Sequence, residues 1–200
     1  MNKNQLYPVF LKLDELRLLL VGGGNVALEK LNSLLSNSPD AFITVVAPVI
    51  REEVRQLVSE HPYCTFVKRR FEEDDLDGNN LVICATDDKE LHVRIKDLAK
   101  VKGILVNVAD TPDLCDFYLG SIVQKGNLKI AISTNGKSPT IAKRLREVLS
   151  DTMPDELEDI LNNMQVIRDK MKGDFEEKVK RLNEITRELA GNKTTGHANG

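Results

Sequence analysis

The chain has 200 residues, of which 41% are hydrophobic, so it can form one domain with a packed core and a smaller appendage. Its formal net charge of −3 and its 4% of aromatic residues, with no Trp, argue against nucleic-acid binding, which requires a basic surface and stacking side chains. Its three cysteines form no CxxC pair, so we expect neither a disulfide framework nor a structural zinc site.

Membrane insertion is not expected either. No apolar run approaches the roughly 20 residues that cross a bilayer, and the polar first residues lead into no long apolar segment. We therefore predict no signal peptide, no membrane partner and a cytoplasmic location.

Short apolar runs alternate with amphipathic segments in the first half of the chain. The predicted strands are Arg17–Val21, Phe42–Ala47, Thr65–Val67, Leu81–Ala85 and Ile104–Val108, and the predicted helices between them are Asn25–Leu35, Arg51–Glu60 and Lys89–Val101. This alternation predicts an α/β fold, in which right-handed crossovers produce a doubly wound parallel sheet of Rossmann type. We assign residues 1–112 to this domain.

The pattern changes after this domain. Two strand-like runs, Phe117–Gln124 and Leu128–Ser133, flank a Lys-Gly-Asn turn, which is typical of a hairpin. A helix is predicted over residues 139–149, with Ser138 as its N-cap. We therefore expect a small α+β segment over residues 113–149.

The remainder of the chain is charged. Residues 150–190 have helical character with little strand character, and they are predicted to form a C-terminal helical domain. Residues 191–200 are rich in Gly, Asn and Thr, so they are predicted to be a disordered tail.

The glycine-rich segment after the first strand carries the clearest chemical signal. Gly22, Gly24 and Ala27 occupy the positions of a G-x-G-x-x-A pattern between a strand and a helix. Such glycines permit a tight turn and a close approach of the backbone to a pyrophosphate. A plain glycine turn is the alternative, but the position after the first strand favours a dinucleotide. The predicted cofactor-binding residues here are Gly22, Gly23, Gly24, Asn25 and Val26.

One usual element of an NAD site is missing. No acidic residue for the ribose stands at the end of the second strand, and Arg51 just beyond it could favour a 2′-phosphate, although a solvated helix residue is the simpler interpretation. Spacing alone leaves NAD and NADP open. Because ligands lie at the carboxyl ends of parallel strands, further cofactor contacts are predicted from Pro48, Val49, Ala85 and Thr86.

Acidic residues also follow the predicted strands. Asp110, at the end of the fifth strand, would face the cofactor crevice and is the best candidate for proton chemistry, with a turn or N-cap aspartate as an equal alternative. Asp87 and Asp88 are more readily explained as helix caps. For His92 we expect a surface or satisfied helix position, and no local cluster of ligands predicts a metal site.

The segment from Ser133 to Pro139 ends the hairpin and opens a helix. Its hydroxyls and its position at a helix N-terminus suit an anion, and Lys137, Lys143, Arg144 and Arg146 add positive charge nearby. A polycarboxylate would fit this surface, while a capped helix with a solvated basic face is an equal alternative. The predicted substrate-binding residues are Asn107, Ser133, Thr134, Asn135, Gly136, Lys137 and Ser138.

Five segments in this order resemble the precorrin-2 dehydrogenase family, which includes bifunctional siroheme synthases that also insert iron. They are Tyr7–Leu11, Gly22–Ala27, Ala85–Asp88, Val106–Asp110 with Cys115–Phe117, and Ile132–Pro139, the last similar to the family pattern I-S-T-x-G-x-S-P. The chain differs from common family residues at Glu29, His92, Gly120 and Thr134. These differences affect the expected details of substrate contact and not the resemblance itself. No counterpart of the methyltransferase domain that some relatives carry is expected.

The resemblance implies a function in siroheme and tetrapyrrole biosynthesis. The chain would be an oxidoreductase that dehydrogenates the small-molecule tetrapyrrole precorrin-2 to sirohydrochlorin. NAD would be its cofactor, since the family also lacks the ribose-binding acid. A ferrochelatase (lyase) activity would insert Fe²⁺, a substrate, with Asp110 serving both steps. The family is dimeric, so a homodimer through the middle segment is implied.

Two other functions stay open at this level. The chain could be a dehydrogenase only, with a separate chelatase, or a non-catalytic regulatory module that senses NAD. A regulatory module needs neither a carboxylate in the crevice nor a polyanion-binding surface, so Asp110 and the segment 133–138 favour the enzyme.

Overall fold

A computed structural model of the protein describes residues 4–154, 157–170 and 175–185. These residues form two compact units, one containing residues 4–119 and 133–138, the other containing residues 120–132 and the described residues from 139 onwards. The predicted disordered tail lies outside the described residues.

The first unit is built on a parallel sheet. Its elements are β1 (Arg17–Val21), α1 (Asn25–Asn37), β2 (Phe42–Val46), α2 (Glu52–Ser59), β3 (Cys64–Val67), β4 (Leu81–Cys84), α3 (Lys89–Lys102) and β5 (Leu105–Val108). The five strands lie in the order β3-β2-β1-β4-β5, so the strand order reverses between β1 and β4. This confirms the predicted parallel α/β sheet of Rossmann type.

The two faces of the sheet have separate cores. Leu18 and Leu20 of β1 pack in one cluster with Leu31 of α1, whereas Leu19 and Val21 pack in the other with residues of α3. Because side chains alternate between faces, a shift of β1 by one residue would exchange the two sets. The register of β1, and with it the position of the following loop, is therefore strongly fixed.

The second unit contains the predicted hairpin and helices. Its described elements are β6 (Ser121–Lys125), antiparallel to β7 (Leu128–Ile132), then α4 (Pro139–Thr152), α5 (Leu157–Lys170) and α6 (Phe175–Ile185). The first hairpin strand begins at Ser121 and not at the predicted Phe117, since Phe117 packs against the core of the Rossmann domain. Over the described residues, no helix combines the length and apolarity needed to cross a bilayer.

Candidate functional site

The loops at the carboxyl edge of the parallel sheet enclose a cleft of about 1140 Å³. All residues predicted to bind a cofactor line it, namely Gly22, Gly23, Gly24, Asn25, Val26, Pro48, Val49, Ala85 and Thr86, and Asp110 lines it as well. The cleft also contains residues that the sequence interpretation did not select, including Arg70, Phe71, Lys89, His92 and Arg94. A ligand larger than a single nucleotide has room in this space.

Glycine is found at three consecutive positions of the loop after β1, and the structure gives a different reason for it at each position. Gly22 has φ of +130°, and a Cβ there would lie 2.3 Å from the Ala85 carbonyl oxygen. A Cβ on Gly23 would lie 2.5 Å from the Val49 carbonyl oxygen. A Cβ on Gly24 would meet nothing within 4 Å. The protein itself requires the first two glycines, whereas Gly24 leaves its backbone open to the cleft.

Helix α1 presents an uncapped N-terminus at this loop. Gly24 is its N-cap, no side chain accepts a hydrogen bond from the first turn, and that turn contains no acidic residue. By contrast, the Asp88 carboxylate accepts a hydrogen bond from the Leu91 N–H at 2.9 Å at the start of α3, which confirms Asp88 as a cap. An anion in the cleft would satisfy the free N–H groups of α1.

Arg51, the N-cap of α2, is hydrogen-bonded to the glycine-rich loop. Its N–H donates to the Gly23 carbonyl at 2.9 Å, and its guanidinium donates to the Asn25 side-chain oxygen and pairs with Glu53 at 2.5 Å. The hydrogen bond from Arg51 lowers the pKa of Glu53 to about 2. The positive charge that could select a 2′-phosphate is therefore already paired within the protein.

Asp110 adopts a left-handed backbone conformation at the opposite side of the cleft. Its φ is +57°, a region that Asp and Asn enter more readily than other residues with a side chain. The turn is held by hydrogen bonds from the Ala109 N–H to the Cys84 carbonyl at 3.0 Å and from the Val108 N–H to the Cys115 Sγ at 3.2 Å. Among the described residues, none forms a hydrogen bond or ion pair with the Asp110 carboxylate, which is exposed. Such backbone strain is characteristic of functional positions.

Asn107 and Asp116 stabilise the same strand end from outside the cleft lining. The buried Asn107 amide donates to the Phe117 carbonyl at 2.8 Å. The Asp116 carboxylate accepts from the Val106 N–H at 2.9 Å and from Lys96 at 2.5 Å. Burial opposes ionisation of Asp116, but these bonds outweigh it and lower its pKa. The Asn107 amide thus already has a partner within the protein. Its direct contact with substrate stays a prediction.

The segment 133–138 forms a tight turn within the first unit. The Lys137 N–H donates to the Thr134 carbonyl at 3.1 Å, and the central residues Asn135 and Gly136 have φ of +54° and +72°. Consecutive positive φ values favour Asn-Gly, as found here. The segment does not line the cleft described above. Its role in substrate binding stays a prediction.

His92 lines the cleft and is buried, whereas the sequence led us to expect a surface or satisfied helix position. It is 3% exposed, its Nε2 lies 2.8 Å from the Thr86 Oγ1, and its Nδ1 has no partner among the described residues. Burial lowers its pKa despite the opposing charges of Asp88 and Asp87. The shared apolar face with Ile95 and Ala99, at helical spacing, was the sequence signal that could have indicated its burial.

The lowered pKa of His92 makes stability depend on pH. In the window between its lowered folded value and the ordinary 6.5, the unfolded chain binds the proton first, so stability is lost as pH falls through this window. We expect the melting temperature to fall as the pH is lowered through and below about 6.5, and to fall less in His92→Leu. The control is His61→Leu, which leaves this buried imidazole in place and should retain the wild-type decline. An equal decline in His92→Leu would contradict the prediction.

No metal centre is evident in the described part of the chain, where no group of three or more His, Cys, Asp or Glu side chains could hold a metal ion.

The cleft, the open glycine-rich loop and the uncapped helix define a dinucleotide-binding domain of Rossmann type. In agreement, residues 9–121 match the family model described as "Putative NAD(P)-binding", which covers more than half of the chain. Residues 125–151 match a second model, for the central part of sirohaem biosynthesis proteins.

Comparison with individual proteins shows which characterised proteins the chain is similar to. The siroheme synthase of Psychrobacter sp. PRwf-1 is 40% identical over 148 residues, which are 74% of this chain and 30% of that protein. The siroheme synthase of Pseudoalteromonas atlantica is 37% identical over 177 residues, 88% of this chain and 38% of that protein. A solved structure of SirC, precorrin-2 dehydrogenase, is 27% identical with a TM-score of 0.72, covering 90% of this chain and 89% of that one.

The chain belongs to the family whose model is described as "Putative NAD(P)-binding", and its similarity to siroheme synthases and to SirC confirms the resemblance found in the sequence. It spans about a third of the length of the siroheme synthases that it matches.

Proposed function

We propose that this protein dehydrogenates precorrin-2 to sirohydrochlorin in siroheme biosynthesis, with NAD as the hydride acceptor. The observation that carries the proposal is the placement of the unpaired Asp110 carboxylate in the same cleft as the open Gly24 backbone. The siroheme synthase and SirC relatives support this substrate class.

The residues of the cleft fit the proposed cofactor. The first turn of α1, which offers uncapped N–H groups beside Gly24, would hold the pyrophosphate, and the remaining predicted contacts from Pro48, Val49, Ala85 and Thr86 would hold the flanking parts. The pairing of Arg51 with Glu53 supports NAD over NADP. When bound, NAD supplies the acceptor for a hydride.

The residues of the chain supply the other half of the reaction. Removal of two hydrogens from precorrin-2 releases one hydride, with its electron pair, and one proton, so the balance is precorrin-2 and NAD⁺ to sirohydrochlorin, NADH and H⁺. Asp110 is the proposed base: its ionised carboxylate accepts the proton that leaves the substrate. Because Asp110 is exposed, it can return this proton to solvent before the next turnover.

The segment 133–138 is the proposed binding site for the carboxylates of the tetrapyrrole. The Lys137 ammonium and the Ser133 hydroxyl, which accepts from the Asn135 N–H at 3.2 Å, provide suitable donors, while the Thr134 hydroxyl donates to the Ser138 carbonyl at 3.2 Å and holds the turn. Asn107 would contribute by fixing the end of β5 through its bond to the Phe117 carbonyl.

Iron insertion is the proposed second activity, supported by the siroheme synthase names of the relatives. Fe²⁺ would be a substrate whose insertion releases two pyrrole N–H protons, of which Asp110 would accept one while the other leaves to solvent. A chain that dehydrogenates precorrin-2 but leaves sirohydrochlorin metal-free would instead rely on a separate chelatase. Cytoplasmic location stays a prediction.

The homodimer is proposed through residues 113–149. Helix α4 exposes an apolar stripe of Ile141, Leu145 and Val148, at 56%, 44% and 60% exposure. Such a stripe favours burial against another surface. Light scattering should give twice the 22.4 kDa chain mass. Val148→Glu should lower that mass, while Asp151→Asn on the same helix should not. A wild-type protein of single-chain mass at micromolar concentration would contradict the dimer.

The proposed reaction is tested by adding precorrin-2 to the purified protein with NAD, with NADP or with neither. We expect NADH formation with NAD, a slower reaction with NADP and none without a dinucleotide. Tight NAD binding without turnover would instead support the sensing module.

A further inference from the structure

Thr86 and His92 form a hydrogen-bonded pair where the strand order reverses. The Thr86 Oγ1 lies 2.8 Å from the His92 Nε2, and the Asp88 N–H donates to the same oxygen at 3.3 Å. Thr86 follows Ala85, whose carbonyl is in close approach to Gly22. The Thr86 hydroxyl therefore stands beside the glycine-rich loop, at the point where doubly wound folds bind ligands.

The position of the ring proton of His92 decides what this hydroxyl can do. A hydroxyl accepts up to two hydrogen bonds and donates one. If Nε2 carries the proton, the Asp88 N–H and the His92 ring occupy both acceptor sites of Thr86. The other tautomer would place an N–H on Nδ1, which is buried without a partner in the described structure. Buried N–H groups without an acceptor are rare, so the structure favours the proton on Nε2.

We infer that His92 is a positioning residue for the cofactor: it directs the Thr86 hydroxyl to donate to a phosphate or ribose oxygen of NAD. With both acceptor sites of the hydroxyl occupied, its proton remains available for donation, no described residue accepts it, and Thr86 lines the cleft. His92 itself is buried and acts only through Thr86. This inference rests on the NAD site proposed above.

The unpartnered Nδ1 of His92 makes it possible to distinguish a positioning role of this residue from a purely structural role. The unpartnered Nδ1 costs stability, and an apolar side chain of similar size would remove that cost. His92→Leu is therefore expected to melt at a temperature no lower than the wild type while it loses affinity for NAD. A histidine kept only for the fold would give the opposite result.

The test is calorimetric titration with NAD, and with ADP-ribose as a probe that lacks nicotinamide. Thr86→Val and His92→Leu should each weaken both ligands about tenfold, as expected for one hydrogen bond to a charged or sugar oxygen. The double variant should lose no more than either single one, because both changes remove the same bond. His92→Gln, which keeps a side-chain N–H donor, should recover most of the affinity, and His61→Leu should bind as the wild type does.

Wild-type affinity in His92→Leu would overturn the inference, and so would fully additive losses in the double variant. Absence of NAD binding by the wild-type protein would overturn the cofactor site itself, and the inference with it. The two failures are distinguishable because the wild type is titrated in the same series.

Discussion

The Asp110→Asn protein is expected to bind NAD with wild-type affinity and to dehydrogenate precorrin-2 at least about 100-fold more slowly. The carboxylate lines the cleft and has no partner in the described structure, so its removal breaks no protein contact. A positioned base contributes typically about 10²–10⁴-fold to the rate, and the amide keeps the shape while removing the base. Initial rates of NADH formation, beside an NAD titration, measure both quantities.

Asparagine is the better replacement at this position because of the backbone. Asp110 has φ of +57°, and asparagine tolerates this conformation, whereas alanine there costs about 1 kcal/mol of stability. Asp110→Ala should therefore show the same catalytic loss with a slightly lower melting temperature. Asp87→Asn removes another carboxylate from the same cleft and is the matched control, expected to retain activity. A wild-type rate in Asp110→Asn with a slow Asp87→Asn would assign the base to Asp87.

Gly24→Val is expected to weaken NAD binding by at least about 100-fold without loss of fold, since the side chain would displace two or more hydrogen bonds to charged phosphate oxygens. The structure explains why the fold should survive: a Cβ at Gly24 has no close contact within 4 Å, and Gly24 lines the cleft. Titration with NAD and circular dichroism are the paired measurements. Gly24→Ala should give an intermediate affinity.

The neighbouring glycine provides the contrast. Gly22→Ala should lower stability, because the Cβ would lie 2.3 Å from the Ala85 carbonyl oxygen and φ is +130°. A Gly24→Val protein that binds NAD normally would contradict the placement of the pyrophosphate. A Gly24→Val protein that unfolds as Gly22→Ala does would contradict the open space at Gly24.

The sheet and the glycine-rich loop could be predicted because their signals are local. The runs Leu18–Val21 and Leu81–Cys84 are apolar throughout, as strands buried on both faces require, and the glycine pattern stands directly between β1 and α1. The same reasoning brought Asp110 to the correct edge of the sheet. In each case the information lies within a few residues of the feature itself.

The remaining features depend on contacts between distant parts of the chain. Position 23 must be glycine because a Cβ there would lie too close to the Val49 carbonyl oxygen. Phe117 is not part of the predicted strand because it packs on the core of the first unit. The pairing of His92 with Thr86 spans only six residues, but it depends on the angle at which α3 follows the end of β4. No local pattern encodes which atoms meet across such elements, so these contacts became visible only in the folded chain.

The stoichiometry of the reaction tests whether the cleft transfers a hydride from precorrin-2 to NAD. Purified protein, precorrin-2 and excess NAD are incubated without iron, and NADH and sirohydrochlorin are quantified in the same samples for the wild type, Asp110→Asn and Gly24→Val. The proposed mechanism predicts one NADH for each sirohydrochlorin in the wild type, and little of either product in both variants. Sirohydrochlorin formed without NADH, or NADH formed equally by Asp110→Asn, would contradict it.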